Sequence, residues 1–259
     1  MNQQAEQARR LHQLHQQDHP LLLVNVWDAG SAQIIQETGA TAIATGSWSV
    51  ATAHGYADGE QLPFELVLAN VQRICQRVDV PVTIDIEGGY GQTAAQVKRH
   101  VAQIMQQGAV GINLEDQLPQ GNGLYSIQQQ QARIRAAREA ADEAAIPLFI
   151  NARTDIFLQA AVETHDLAHI EAALQRAHAY AEAGAHGIFV PGLVDEQLIQ
   201  LVCQQSQVAV NVMISAASPS IPALTACGVA RISYGPQPYI QLMDTLKQSS
   251  LRVLAGQSF

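Results

Sequence analysis

Three pairs of residues spaced two apart could do chemistry together: Asp85 with Glu87, Asn113 with Glu115, and Asn151 with Arg153. They stand in VPVTIDIEGGYG, VGINLEDQ and PLFINARTD, each after a short apolar run and just before a loop. In an extended strand, residues i and i+2 project from one face. Three such strands would deliver Asp85, Glu87 and Glu115 to one place, with Arg153 beside them. Carboxylate oxygens suit a hard cation such as Mg2+ or Mn2+, and the planar fork of an arginine matches a carboxylate or a phosphonate. The spacing therefore predicts metal ligation by Asp85, Glu87 and Glu115 and an anion held by Arg153. For any one pair the alternative is a structural ion pair.

Apolar, β-branched runs must position these residues. They fall at Leu21–Trp27, Thr41–Thr45, Pro81–Glu87, Val110–Glu115, Pro147–Arg153, Gly187–Val190, Val208–Met213 and Arg231–Tyr234. Longer stretches of helical periodicity alternate with them. Several of those stretches end in glycine (Gly39, Gly108, Gly184, Gly228) just before the next apolar run, as expected of a left-handed C-cap. Strict alternation of strand and helix predicts a parallel sheet, and eight units predict a closed (β/α)8 barrel of the TIM type. An open doubly wound sheet is the other arrangement, but no G-x-G-x-x-G follows the first strand. No linker divides the chain, so residues 1–259 read as one domain, with residues 1–19 as an N-terminal helix capping the barrel.

Barrel chemistry sits where the strands end. That rule brings Trp27, Ser47, Trp48, Arg153 and Asn211 into the expected substrate-binding set, with Asp58 in the loop after the second strand.

Composition narrows the classes. A formal charge of −9 excludes nucleic acid and an anionic membrane as partners. No apolar run approaches a membrane span, and the polar, Gln-rich beginning is not expected to be a signal peptide. Cys75, Cys203 and Cys227 lack metal-like spacing and suit a reducing cytoplasm. The only lysines, Lys98 and Lys247, fall in predicted helices, which argues against Schiff-base chemistry.

At these residues the chain resembles the isocitrate lyase/phosphoenolpyruvate mutase superfamily. The resemblance is carried by NVWDAGSA, AIATGSWSVA followed by GYADGE, D-x-E-x-GYG, G-x-x-LED and NARTD, and covers about residues 20 to 240. It implies a barrel whose last helix is exchanged between subunits in a dimer of dimers. It also implies a Mg2+ site and small 2-oxo or 2-hydroxy acid substrates. On this chain Asp85 would be the metal carboxylate, with Glu87 and Glu115 holding metal-bound waters. Ser47 and Trp48 would bind substrate through backbone N–H groups, Asp58 would stand near the metal, and Arg153 would hold the substrate anion.

The loop after the fourth strand departs from the family's lyases. They carry K-K/R-C-G-H there, whereas this chain reads Leu118-Pro119-Gln120-Gly121-Asn122-Gly123-Leu124-Tyr125. Asn122 matches the Lys-x-Asn of the phosphonomutase branch, but Gln120 replaces the lysine. Asp58, Arg153 and Asn122 are therefore the expected catalytic residues, and the loop is expected to close as a lid. The expected activity is Mg2+-dependent cleavage or decarboxylation of an oxaloacetate-like 2-oxo acid through a metal-stabilised enolate. The alternatives are a phosphonate enzyme, of the phosphoenolpyruvate mutase or phosphonopyruvate hydrolase type, and a barrel that binds 2-oxo acids without turning them over.

Overall fold

A computed structural model describes residues 3–16, 18–119 and 123–258. Eight parallel strands form one sheet: β1 (Leu21–Leu23), β2 (Ile43–Ala44), β3 (Val82–Asp85), β4 (Gly111–Glu115), β5 (Phe149–Arg153), β6 (Gly187–Phe189), β7 (Ala209–Met213) and β8 (Arg231–Ser233). Neighbours in sequence pair from β2 through to β8, and β8 pairs with β1. A parallel bridge between Val26 and Thr45 joins β1 to β2 and completes the (β/α)8 barrel. Asn25 reinforces this seam, donating to the Thr45 carbonyl at 2.9 Å and accepting from the Gly235 N–H at 2.8 Å.

The strands are shorter than the apolar runs that predict them: β1, β2, β3, β6 and β8 stop before their runs end, leaving those last residues to the barrel mouth, whereas β4, β5 and β7 start later but continue to the last residue of theirs. Parity follows the pleat. Ile84, Ile112, Ile150 and Ile232 are buried on one face, while Asp85, Asn113, Glu115, Asn151 and Arg153 share the other. Register sets Asp85 beside Asn113, Asn113 beside Asn151, and Glu115 directly opposite Arg153.

The surrounding helices are amphipathic. α4 (Phe64–Arg77) buries Val67, Val71 and Ile74, and α5 (Ala94–Gln106) buries Val97, Val101 and Ile104. These spacings of three and four lay one apolar stripe on the barrel. Capping boxes start α5 at Thr93 and α6 (Ile127–Glu143) at Ser126, each such cap being worth about 1 kcal/mol. The remaining helices between strands are α2 (Ala29–Glu37), α3 (Ser47–Ala53), α7 (Leu167–Glu182), α8 (Glu196–Gln205) and α9 (Ile221–Ala226), and α10 (Gln237–Leu254) follows β8. α3 lies where the sequence reads as loop. Among the described residues no helix is long and apolar enough to cross a membrane.

The N-terminal cap forms as α1 (Gln3–Gln13), shorter than the expected segment. It buries Ala5, Ala8 and Leu11, and Gln4 donates to the Met105 and Ala109 carbonyls. Leu11 reaches the lower end of the interior, where a Cβ on Gly111 would stand 2.7 Å from its Cδ2. Just beyond the helix, the His15 ring stacks on Phe149 with centroids 3.9 Å apart.

Candidate active site

The strand ends converge as the alternation requires up to Asp85, and there the pattern changes. β3 stops at Asp85, and Glu87 takes a left-handed backbone (φ 51°), as do Gly89 and Tyr90 (φ 90° and 55°). Two non-glycine residues in that region within four positions represent strain of a kind that concentrates at functional sites. The turn is held from outside by Arg133, which donates to the Gly88 and Gly91 carbonyls and stacks on the Tyr125 ring.

The consequence corrects the expectation that Asp85 and Glu87 project together. Glu87 is turned sideways and buried. Its Oε2 accepts the Gly59 and Glu60 N–H groups at 2.7 and 2.6 Å, and its Oε1 accepts the Tyr90 hydroxyl at 2.7 Å. It thus anchors the loop that carries Asp58. Burial, and then the nearby Asp58 carboxylate, push the Glu87 carboxyl up to about 7.

Asp85 does face the mouth. Its Oδ2 accepts the Ser47 N–H at 3.2 Å, and its own N–H is fixed by Thr45 Oγ1 at 2.9 Å. The Ser47 N–H, expected to hold substrate, therefore holds Asp85. Asp58 stands at the rim; desolvation and then the charge of Asp85 raise its carboxyl, while Arg153 and the Ser47 hydroxyl oppose them.

Arg153 is clamped rather than free. Its Nε and Nη2 donate to the two oxygens of Asp155 at 2.5 and 2.9 Å, and Nη1 pairs with Glu115 at 3.0 Å. Burial raises the Glu115 carboxyl well above the usual range, Arg153 being the main opposing influence. Asp155 is in turn seated by Asp116, whose Oδ1 accepts the Asp155 N–H at 3.0 Å. The other Asp116 oxygen takes the Tyr180 hydroxyl and Arg176 Nη1. The second acid of the LED motif is thus structural, and it aims Arg153 through Asp155.

These residues bound two adjoining spaces. An inner cavity of about 160 Å3 is lined by Ser47, Trp48, Asp58, Asp85, Asn113 and Arg153. An outer cleft of about 350 Å3 shares Asp58 and Arg153 and adds Glu60, Glu115 and Gln117. The inner space suits a molecule of a few carbons rather than a large cofactor.

Two expected site residues fall elsewhere. Trp27 lies outside the mouth, its ring edge-on to Tyr239 of α10 at 5.0 Å, in an apolar groove with Ile34 and Leu242. Asn211 is buried one layer below, accepting from the Ser233 hydroxyl at 3.3 Å. Asn122 lies outside the described residues. Strand spacing places Asn113 with Glu115 but assigns it no role in the cavity, and it misses Arg231 beneath it. An arginine at the start of an apolar strand was the available signal.

Among the described residues no three His, Cys, Asp or Glu side chains enclose a metal ion. Of the three carboxylates that the spacing predicts as ligands, Glu87 bonds the loop that carries Asp58 and Glu115 pairs with Arg153, which leaves Asp85 facing the inner cavity. The donor set nevertheless fits Mg2+, which is commonly held by one or two carboxylates and keeps water and substrate oxygens for the rest. Asp85, with Asp58 close by, is that kind of donor, and the mutual repulsion of the two carboxylates is what a cation relieves.

The phosphoenolpyruvate phosphomutase family model matches residues 11–254. A crystal structure of a provisionally named phosphonomutase from Burkholderia cenocepacia J2315 has a TM-score of 0.93 and 47% identity, covering 98% of this chain and 99% of that one. The 2-methylisocitrate lyase of Escherichia coli is 30% identical over 74% of this chain and 64% of its own length. The oxaloacetate decarboxylase of Paraburkholderia xenovorans is 27% identical over 96% of this chain and 83% of its own length.

Proposed function

The chain belongs to the phosphoenolpyruvate phosphomutase family, and on that premise we propose a Mg2+-dependent lyase that decarboxylates or cleaves a small 2-oxo acid, oxaloacetate foremost. The observation that carries this reading is the pairing, in one small cavity, of the Asp85 carboxylate with the clamped Arg153 guanidinium. One end of that cavity attracts a cation and the other an anion.

Asp85 and Asp58 would hold the metal, with Glu115 and Glu87 acting around it. A bound divalent cation would supply electrophilic polarisation of the 2-oxo group. The chain's own residues do the rest. Arg153 has spent three N–H groups on Asp155 and Glu115, which leaves one on each terminal nitrogen for a carboxylate. The Trp48 N–H, second in α3, has no acceptor inside its helix and lies beside the inner cavity. Decarboxylation then breaks the bond to the remote carboxyl group, its electron pair moving toward the 2-oxo carbonyl while carbon dioxide leaves.

The thiol positions support decarboxylation over chemistry that needs a cysteine acid. Cys75, Cys203 and Cys227 lie on or just after helices around the barrel, and burial raises each thiol pKa. The likeness to a provisionally named phosphonomutase favours phosphonopyruvate as the second substrate class. Oxaloacetate and phosphonopyruvate, each assayed with and without Mg2+, separate the two. The expected result is metal-dependent pyruvate release from oxaloacetate above the uncatalysed rate, with neither phosphate nor phosphoenolpyruvate formed from phosphonopyruvate. The reverse pattern assigns the phosphonate reaction. No product from either, with metal-dependent binding intact, leaves a binding barrel.

We also infer that the protein is a homo-oligomer exchanging α10. Tyr239 is the buried residue of this 18-residue helix, and Leu242, Leu246 and Leu251 are exposed, with Leu254 at 85% exposure. An apolar face of this kind needs a cover. Light scattering should give a mass of several chains; a single-chain mass at micromolar concentration sinks the idea.

A further inference from the structure

Beneath the mouth lies a charge without an ion-pair contact. Arg231, at the start of β8, is wholly buried, yet it enters no ion pair among the described residues. Its Nε donates to Ser233 Oγ at 3.4 Å and its Nη2 to Asn113 Oδ1 at 3.3 Å. Its Nη1 finds no acceptor. Burial pulls the guanidinium down to about 9, with Asp85 acting in the opposite direction, so the side chain remains charged at neutral pH. An unpaired buried charge is expensive to keep, and the question is what it supports.

Asn113 connects it to the cavity. The Asn113 Oδ1 accepts from two donors, Arg231 Nη2 and Asn151 Nδ2, the latter at 2.8 Å. A guanidinium can only donate, so the atom facing it must be the amide oxygen. Turning the amide over would set its NH2 against two other donors. The orientation is therefore locked from below, and Nδ2 is left without a bond to any described residue. Asn113 lines the inner cavity beside Asp85 and Arg153. Ser233 is used up in the same network, accepting from Arg231 and donating to Asn211 Oδ1.

We propose that Arg231 is a positioning residue that locks the Asn113 amide so that Nδ2 donates to a carboxylate oxygen of the small acid at the cavity floor. This rests on the reading that the inner cavity receives a small carboxylic acid. Arg153 would hold the acid from the side and Asn113 from below. The fixed charge of Arg231, one hydrogen bond further down, would strengthen the Asn113 donor.

Oxalate, the smallest dicarboxylate, is the probe, titrated calorimetrically with Mg2+ present and paired with thermal unfolding. Asn113→Asp keeps size and shape but sets a carboxylate against Arg231, while turning an acceptor oxygen toward the cavity. Its melting temperature should equal or exceed that of the wild-type protein, and its oxalate affinity should fall at least tenfold. Asn113→Leu, which removes the donor without adding charge, should lose oxalate affinity by about ten- to a hundredfold, the scale of a hydrogen bond to a charged group. Arg231→Met should weaken oxalate comparably and raise KM more than it lowers kcat, with Arg231→Lys restoring part of the loss. Oxalate affinity unchanged in both Asn113 variants overturns the proposal, as does a wild-type protein that binds no oxalate. Should the affinities fall as expected while no 2-oxo acid is turned over, the anion subsite stands and the lyase reading falls. Turnover by the wild-type protein with KM and oxalate affinity untouched in the Asn113 variants sinks the subsite alone.

Discussion

Replacing Asp85 with asparagine removes divalent-cation binding from calorimetric titrations and lowers turnover by roughly 10³-fold or more, the scale on which charge-stabilising groups act at reacting centres. The substitution is nearly isosteric, and its amide oxygen can still accept the Ser47 N–H that now bonds Asp85 at 3.2 Å. What it removes is charge. That charge helps raise the Asp58 and Glu87 carboxyls but also attracts the Arg153 and buried Arg231 guanidiniums, so the metal-free variant exchanges lost repulsion for lost attraction. Its melting temperature without metal should stay within a few degrees of that of the wild-type protein, the two effects opposing each other and one weak acceptor, for the Glu87 N–H, being lost. Loss of metal binding with unfolding intact locates the defect in the site. Unchanged Mg2+ affinity in the variant would remove Asp85 from the metal and take the proposed mechanism with it.

Arg153→Ala carries the second large effect, and it falls on stability as well as ligand. The side chain neutralises Glu115 at 3.0 Å and Asp155 at 2.5 Å, and Asp155 is fully buried. Removing the cation strands both carboxylates, a change that costs about 3–5 kcal/mol when a buried pair is broken. Arg153→Lys restores charge but not the fork, because one ammonium cannot reproduce the two parallel bonds to Asp155. The lysine variant should therefore recover most of the stability, measured by urea unfolding, while its KM for the 2-oxo acid stays elevated by about tenfold or more. Equal ligand affinity in the lysine variant and the wild-type protein would reduce Arg153 to a structural brace. Asp155→Asn tests the same clamp from the other side and should resemble Arg153→Lys in its ligand defect.

Much of this arrangement was legible in spacing. Asn113 with Glu115 and Asn151 with Arg153 share faces because their strands run unbroken through both positions. Glu115 meets Arg153 because the parallel register sets them opposite. The reading goes astray where the backbone leaves the strand. Glu87 follows an apolar run with the right parity, but its left-handed φ turns it away, and the Gly59 and Glu60 N–H groups that capture it lie 28 and 27 positions earlier. No local pattern announces a partner at that range. Trp27 was misplaced for a similar reason, since its partner is Tyr239 on the last helix. Ser47 and Trp48 sit at the right end of β2, yet the helix they start, and the capture of the Ser47 N–H by Asp85, depend on tertiary contacts. Arg231 occupies a position that strand periodicity assigns to the interior, where an arginine is unexpected until its hydrogen bonds to Asn113 and Ser233 are seen.

The seating of α1 across the lower end of the barrel has a kinetic consequence. Leu11 closes against Gly111, and His15 stacks on Phe149, so the vessel is stoppered at its base. Traffic at that base is blocked, and the inner cavity lies at the other end, with Asp58 and Trp48 among its lining. Asp85 lies inside that cavity and the remaining Arg153 N–H groups share its space, so an acid resting on Arg153 blocks the path to Asp85. On the proposed reading, arrival and departure would take an order: cation in first and out last, with the acid as its latch. Saturating acid should slow cation exchange without tightening a single contact to the cation, because the described residues close the base with Leu11 and His15.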